Sequence, residues 1–208
     1  MPKTNEFIPA KPITKLILVR HGETDSNRKF LLQGHSDGAL NETGKAQVQK
    51  LGISLKNMEI TIALSSDMQR ARDTAREISA HHAGLEVKEM VILRECSVGV
   101  LDGHPAKEYH QALTDSNVPL AEFRPEGGET LGEVRKRAET FLDMVERDFK
   151  GESILVCAHG DFLRMLISVI TQISIQKANG IFLNNASYSI FKYENKKWHT
   201  VSINNFLE

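Results

Sequence analysis

The stretch of sequence that decides the fold is ITKLILVRHG, residues 13–22. Residues 13–19 form a nearly continuous apolar run, interrupted by Thr14 and Lys15, which is typical of a strand buried on both faces of a parallel sheet. The same layout recurs in SILVCAHG, residues 153–160, where an apolar run again ends in histidine and glycine. The two segments therefore predict two buried strands, each leading into a His-Gly pair.

Predicted strands and predicted helices alternate along the sequence. The predicted strands are residues 13–19, 61–64, 87–93 and 153–158, with a hairpin formed by 187–193 and 200–203 around Asn195. Apolar residues at spacings of three and four predict helices that include residues 48–55, 68–78, 131–145 and 162–169. Asn41 or Thr43 can cap the first helix, and Thr130 with Glu133 matches a capping box before the third. This alternation predicts an α/β fold, a three-layer α/β/α sandwich with a mostly parallel central sheet and an antiparallel edge strand.

The length and composition favour one domain. A chain of 208 residues with 40% hydrophobic content can bury one sizeable core. We expect residues 1–12, which include three prolines, to be a flexible extension, and residues 13–208 to form a single domain. The Gly- and Pro-punctuated stretch 96–128, with at most one short helix near 105–113, is the candidate lid or specificity segment.

Charge and cysteine content exclude several classes of function. The formal net charge is −1, with acidic and basic residues mixed along the chain, so neither a nucleic acid nor a membrane partner is expected. Cys96 and Cys157 are the only cysteines and are not in a Cys-x-x-Cys spacing, which argues against a disulfide scaffold or a zinc ribbon. No run resembles a signal peptide or a membrane span, so we expect a soluble, cytoplasmic protein.

The two His-Gly pairs indicate an anion site. Ligands of open α/β sheets bind beyond the carboxyl ends of the strands, where helix N-termini offer unpaired N–H groups. Arg20 and Arg70 follow two of the predicted strands, and their guanidinium groups match the oxygens of a phosphoryl group. A neutral imidazole, such as that of His21, is a competent nucleophile toward phosphorus. Glu95, which opens the irregular segment, is positioned to act as a general acid.

The residues around His21 resemble the signature of a known family. Residues 18–24, LVRHGET, together with Asn27, are similar to the signature of the histidine phosphatase superfamily, which includes the cofactor-dependent phosphoglycerate mutases. The resemblance covers most of the chain and continues at Gln33 and Gly34, residues 37–44, 65–75, 93–103, 127–130 and 158–160.

The resemblance implies a role for each matching residue. His21 would be the phosphorylated nucleophile and Glu95 the general acid and base. The phosphate-binding residues would be Arg20, Asn27, Arg70 and His159. The substrate-binding residues nearby would be Gln33, Gly34, Arg72 and Gly160. The resemblance implies that no metal is needed, that this chain uses no cofactor, and that its substrate is a small phosphorylated metabolite.

Departures from the family pattern narrow the branch. The acid phosphatase form, Arg-His-Gly-x-Arg-x-Pro, is absent, because Glu23 and Thr24 follow Gly22. True mutases carry a longer basic insertion after the catalytic Glu, whereas residues 96–128 contain only Lys107 and Arg124 as Lys or Arg. Water is therefore the expected acceptor, as in the broad-specificity, α-ribazole phosphate and fructose-2,6-bisphosphatase types.

Three alternatives remain open at this point. The first is mutase-type transfer between sugar phosphates, and the second is a non-catalytic regulator that binds a phosphorylated ligand. The third is a zinc site at Cys157 and His159, which needs at least one more ligand. The physiological substrate and the oligomeric state stay open.

Overall fold

The computed structural model describes residues 13–207. The expected extension at residues 1–12 lies outside the described residues. The strands are β1 (Thr14–Arg20), β2 (Ile62–Ser65), β3 (Val87–Glu89), β4 (Ser153–Ala158), β5 (Tyr188–Glu194) and β6 (Lys197–Asn205). The helices are α1 (Asp25–Arg28), α2 (Glu42–Leu55), α3 (Gln69–Ser79), α4 (Ala106–Ser116), α5 (Leu131–Asp148), α6 (Gly160–Thr171) and α7 (Ile175–Asn179).

The described strands form one sheet, in the order β3-β2-β4-β1-β5-β6. The pairs β3-β2, β2-β4 and β4-β1 are parallel, whereas β5 runs antiparallel to β1, and β6 antiparallel to β5. The predicted mostly parallel sheet is confirmed, and its antiparallel edge is the hairpin β5-β6. Arg20 lies opposite Ala158 in the register of β1 and β4, so the next residues, His21 and His159, leave the sheet at the same level.

Helices cover both faces of the sheet. Along β1, Leu16 and Leu18 face one core, which is shared with α5 and α6, whereas Ile17 and Val19 face a second core, which is shared with α2 and α3. Full burial of a leucine or isoleucine contributes roughly 1.5–3 kcal/mol, so a strand buried on both faces is strongly held. The prediction of a three-layer sandwich is confirmed.

The ends of several helices follow the predicted capping chemistry. The Asn41 side chain accepts a hydrogen bond from the Gly44 amide, so Asn41 rather than Thr43 caps α2. Thr130 and Glu133 form the predicted capping box at α5. The sequence analysis did not predict α1 and α7, which have four and five residues and too little length for a periodic pattern.

The predicted strand 87–93 is shorter than expected. β3 ends at Glu89, and Val91–Leu93 forms a 3₁₀ turn. A strand would place Val91 and Leu93 on the same face, but Val91 is 62% exposed and Leu93 is fully buried. The turn brings Leu93 into the core and directs residues 94–98 toward the carboxyl ends of β1 and β4. Within 96–128 the short helix predicted near 105–113 is α4, which extends to Ser116.

The helices in residues 13–207 include none that combines the length and the apolar character needed to cross a bilayer.

Candidate active site

A cavity of about 470 Å³ opens beyond the carboxyl ends of β1 and β4. His21 follows β1, and His159 follows β4 as the N-cap residue of α6. Because the two strands are adjacent and in register, the imidazole rings meet with their centroids 5.2 Å apart, tilted by 59°. The two His-Gly pairs of the sequence therefore form a single site.

The His21 imidazole is held in one tautomer. Its Nδ1 atom lies 2.7 Å from the carbonyl oxygen of Gly22, and a carbonyl can only accept, so Nδ1 carries the proton. The lone pair is consequently on Nε2. Burial lowers the pKa of His21 well below its usual 6.5, and the positive charges of Arg70 and Arg20 lower it further. His21 is therefore neutral at physiological pH, with Nε2 able to act as a nucleophile.

The backbone at His21 is fixed from several directions. Its amide donates to the carbonyl of Ala158, and its own carbonyl accepts from the Ala186 amide and from Nδ2 of Asn185, both at 3.1 Å. At the next residue, a Cβ on Gly22 would lie 2.8 Å from the carbonyl oxygen of Gly44, so glycine is needed for the close approach of α2.

The guanidinium groups of half-buried Arg20 and buried Arg70 lie beside the histidines. Arg20 donates from Nη1 to the carbonyl of Leu183. Arg70 donates from Nη1 to the carbonyl of Ser36, and from Nη2 to those of Gln33 and Gly34. Burial lowers the pKa of both arginines, but neither loses its charge, because a guanidinium stays protonated in proteins. These contacts fix the orientation of each planar group.

Four buried nitrogen atoms of this site have no hydrogen-bond partner within residues 13–207. They are Nε of Arg20, Nε of Arg70, and Nδ1 and Nε2 of His159. A buried polar group without a partner costs about 1–3 kcal/mol, so the site gains stability from a ligand rich in hydrogen-bond acceptors. Burial lowers the pKa of His159 well below 6.5, and the charge of Arg70 adds to this effect. A phosphoryl group supplies both the acceptor atoms and the negative charge that these four nitrogen atoms lack.

Glu95 lies at the N-terminus of α6. Its Oε1 atom accepts hydrogen bonds from the amides of Cys96, Asp161 and Phe162 at 3.0, 3.0 and 3.1 Å. Burial raises the pKa of Glu95, and the nearby charge of Asp161 raises it further, against the opposing effect of these amides. The carboxyl group faces the cavity and can hold a proton closer to neutral pH than an exposed Glu.

Arg137 anchors the loop that carries Glu95. Its guanidinium donates to the carbonyls of Ile92, Arg94 and Glu95, and it forms an ion pair with Glu129. This residue of α5 thus ties three backbone carbonyls of the segment 92–95 to a long helix.

Asn27 lies in α1 with its amide orientation fixed. Its Oδ1 accepts from the backbone amide of Thr24 and from Nδ2 of Asn185, at 3.2 and 3.0 Å. Because the oxygen takes both hydrogen bonds, the Nδ2 group is available to donate in the cavity, which Asn27 lines. Asn185 therefore contacts both the His21 backbone and the Asn27 side chain.

The predicted site residues are not all brought together. The cavity is lined by six of them: Arg20, His21, Asn27, Gln33, Glu95 and Gly160. Arg70 and His159 are buried and are not among the cavity-lining residues, and the Gly34 carbonyl accepts a hydrogen bond from Arg70. Arg72 does not line the cavity. Two positions along α3 turn the side chain by about 200°, so Arg70 points inward while Arg72 forms an ion pair with Glu89.

Three polar residues of the site were not predicted from the sequence. Asn185 lies in the loop before β5, and Asp161 and Arg164 lie on the first turns of α6 and line the cavity. The Arg164 guanidinium donates to Oδ1 of Asp161 at 2.7 Å and to the carbonyl of Ile181. Arg164 was detectable as the residue four positions after Gly160, on the same face of the helix, whereas no local pattern points to Asn185.

Comparison with known proteins agrees with this geometry. The family described as "Histidine phosphatase superfamily (branch 1)" matches residues 16–206. The chain belongs to this family. The prediction from the residues around His21 is thereby confirmed, and the protein is a hydrolase of the histidine phosphatase superfamily.

Relatives of this histidine phosphatase carry both phosphatase and mutase names. It is 34% identical over 194 residues to "Metal-independent phosphoserine phosphatase" of Arabidopsis thaliana, covering 89% of this chain and 79% of the relative. It is 33% identical over 191 residues to "Phosphoglycerate mutase-like protein 4" of the same plant, covering 88% and 82%. The solved α-ribazole phosphatase of Shigella flexneri has the same fold, with a TM-score of 0.82, 23% identity and coverage of 92% and 96%.

The zinc alternative lacks a ligand set in the described part of this histidine phosphatase. No group of three or more His, Cys, Asp or Glu side chains within residues 13–207 is arranged to hold a metal ion. Cys157 is buried in the core on the α2-α3 side of the sheet, where burial raises the pKa of its thiol. The third ligand that a site at Cys157 and His159 requires is therefore missing from these residues.

Proposed function

We propose that the protein hydrolyses small phosphomonoesters in two in-line steps through a phosphoryl group carried on Nε2 of His21. The observation that carries this proposal is the state of His21, which is buried and neutral and has its lone pair on Nε2. Arg20, Arg70 and His159, each with an unpartnered nitrogen atom, lie near the His21 ring. A loose phosphoryl-transfer transition state needs mainly positioning and charge stabilisation, which this arrangement supplies.

In the first step Nε2 of His21 attacks phosphorus and the P–O bond to the leaving group breaks. The Glu95 carboxyl group gives its proton to the departing oxygen, which leaves as an alcohol. Nδ1 keeps its proton, which it donates in a hydrogen bond to the Gly22 carbonyl, so the phosphorylated ring carries a positive charge. Arg20, Asn27 and Arg70 hold the phosphoryl oxygens.

In the second step a water oxygen attacks phosphorus from the side that the alcohol has left. The Glu95 carboxylate takes a proton from this water, the P–N bond breaks, and inorganic phosphate leaves neutral His21 behind. Glu95 is thereby returned to its protonated form. Its raised pKa suits both roles, because the group must give and take a proton in each cycle.

Water rather than a second sugar phosphate is the proposed acceptor. A mutase must hold an intermediate that bears both a phosphate and a carboxylate, which requires additional uncommitted cations. The guanidinium groups that line this cavity are those of Arg20 and Arg164. Arg164 is already paired with Asp161, and buried Arg70 is assigned to the same phosphoryl group as Arg20. The mutase name of one relative keeps the alternative open to test. Interconversion of phosphoglycerates faster than phosphate release would favour it.

The remaining assignments follow from this proposal. Residues 13–208 form one catalytic domain, and residues 96–128 are its specificity segment, which contributes Val98, Tyr109 and Leu113 to the cavity. The enzyme acts in the cytoplasm, without a nucleic acid or membrane partner, consistent with its net charge of −1 and its free cysteines.

The test is phosphate release from a panel of phosphomonoesters in the presence of a chelator. His21→Ala should abolish release, whereas His199→Ala, on the exposed edge strand β6, should leave it unchanged. Rapid quench in alkaline denaturant with a labelled ester should trap one phosphoryl group per wild-type chain, stable in alkali and released in acid, and none on the His21→Ala variant. Full activity of His21→Ala would refute the mechanism, and dependence of the wild type on added metal would favour a metal hydrolase.

A further inference from the structure

Six aliphatic side chains line the cavity. They come from the loop after α1, from residues 96–128 and from the start of α5: Leu31, Leu32, Val98, Leu113, Leu120 and Leu131. We call this set the apolar wall. Phosphate chemistry alone does not require it, because a phosphoryl group is bound by charge and hydrogen bonds. The wall must therefore contact the part of the substrate that leaves.

Helix α4 presents one stripe of side chains to the cavity. Ala106, Tyr109, His110 and Leu113 all line it, at the spacing of one helical face. None of the residues of α4 is fully buried in the described structure. The Tyr109 ring packs edge-on against buried Phe123, with the centroids 5.2 Å apart, which fixes the helix over the cavity. The stripe thus keeps accessible apolar surface that a ligand in the cavity would cover.

The side chains of the cavity leave little free positive charge for a second anionic group. Arg20 and Arg164 line it together with Asp161 and the Glu95 carboxyl group. Arg164 is held by Oδ1 of Asp161 at 2.7 Å and by a backbone carbonyl. A second anionic group on the substrate would have to compete with Asp161 for Arg164 and would face two carboxyl groups. This arrangement disfavours bisphosphates and phosphorylated acids.

We propose that the preferred substrates are monoesters with one phosphoryl group on an uncharged, mainly apolar leaving group of several carbon atoms. The inference rests on the proposed phosphatase function and adds the class of alcohol that is released. The phosphoryl group binds at His21, and the carbon chain lies between α4 and the rest of the apolar wall. The cavity of about 470 Å³ is within the range of 300–1,000 Å³ that is common for ligand pockets and accommodates both parts.

A series of straight-chain alkyl phosphates, from ethyl to hexyl, tests the proposal. Their alcohols have nearly the same acidity, so differences in kcat/KM report contacts with the chain rather than leaving-group chemistry. We expect kcat/KM to rise about threefold to fourfold per methylene, and about a hundredfold from ethyl to hexyl phosphate. We expect 3-phosphoglycerate and fructose 2,6-bisphosphate to be at least about tenfold poorer than hexyl phosphate.

Two neighbouring variants locate the effect. Leu113→Gln places a polar amide in the apolar wall and should lower the ratio of hexyl to ethyl kcat/KM about tenfold. Ala112→Gln, one position along α4 and outside the cavity lining, should leave this ratio unchanged.

Three results would overturn the inference. The first is equal kcat/KM along the alkyl series, and the second is a preference for 3-phosphoglycerate over hexyl phosphate. The third is an equal drop in both variants, which would mean that the effect is a general disturbance of α4. If the wild type releases no phosphate from any ester, including an activated aryl phosphate, the hydrolase itself is refuted and this inference with it.

Discussion

Replacement of Glu95 by Ala and by Gln separates its structural contribution from its chemical one. Glu95→Ala removes the acceptor of three amides, those of Cys96, Asp161 and Phe162. Each amide that loses its acceptor should lower the free energy of unfolding by about 1 kcal/mol, the low end of the range, because cavity water can reach these groups. The three amides together give about 3 kcal/mol. For a domain of this size that corresponds to a fall in melting temperature of about 6–12 °C. Glu95→Gln keeps an oxygen acceptor in place and should stay within about 1 kcal/mol of the wild type.

The chemical effect should be the same for both variants. Without a proton donor, kcat for an alkyl phosphate should fall about 10²- to 10⁴-fold. An aryl phosphate with an acidic phenol needs no proton on its leaving group. With this substrate Glu95→Gln should therefore release one phenol per chain in a rapid burst and then turn over slowly, since water activation still requires the carboxylate.

Two measurements check this reasoning, namely stopped-flow release of the phenol and thermal unfolding of the three proteins. Alkyl phosphate turnover by Glu95→Gln within tenfold of the wild type would refute Glu95 as the acid and base. An unchanged melting temperature for Glu95→Ala would refute the view that Glu95 holds the N-terminus of α6.

Two further predictions concern residues around the phosphate site. Burial lowers the pKa of both His21 and His159 below 6.5. Below pH 6.5 the unfolded chain therefore binds protons on these histidines that the folded chain does not, and the free energy of unfolding should fall by about 1.4 kcal/mol per pH unit for each histidine. In urea unfolding between pH 6.5 and 5, the free energy of unfolding of His159→Asn should fall less steeply than that of the wild type, by about 1.4 kcal/mol per pH unit. Identical slopes for the two proteins would contradict the prediction. Asn185→Asp replaces a donor to His21 and Asn27 with an acceptor, so kcat should fall about tenfold or more while Asn185→Gln recovers part of it. Equal loss in both variants, in step with their melting temperatures, would mean a purely structural role.

Much of the fold could be predicted because burial leaves a local pattern. The apolar runs at 13–19 and 153–158 are β1 and β4, and the stripe Leu131 to Val145 is the buried face of α5. Period two and period 3.6 are properties of consecutive residues, so one strand or helix carries its own signal. The same method failed at 91–93, where core packing turned an apolar run with strand character into a 3₁₀ turn.

Local pattern and family resemblance together located the candidate chemistry. His21 and His159 each follow a buried strand, and Glu95 opens the irregular segment. The resemblance supported Glu95 and added Asn27, and the structure brings both to the cavity that His21 lines. The sequence does not show which of the two arginines of α3, Arg70 or Arg72, points into the site, because the packing of α3 decides this. Arg72 does not line the cavity, and its role in substrate binding stays a prediction.

The sequence by itself determined which segments are strands and helices, that two of the strands end in His-Gly pairs, and which family the signature resembles. Only the tertiary structure decided that β1 and β4 are neighbours in register, that Asn185 joins His21 to Asn27, and that α4 covers the cavity. The physical reason is the range of the interactions. The burial pattern of a helix or strand involves residues a few positions apart. The pairing of β1 with β4 and the hydrogen bonds of Asn185 join residues more than a hundred positions apart.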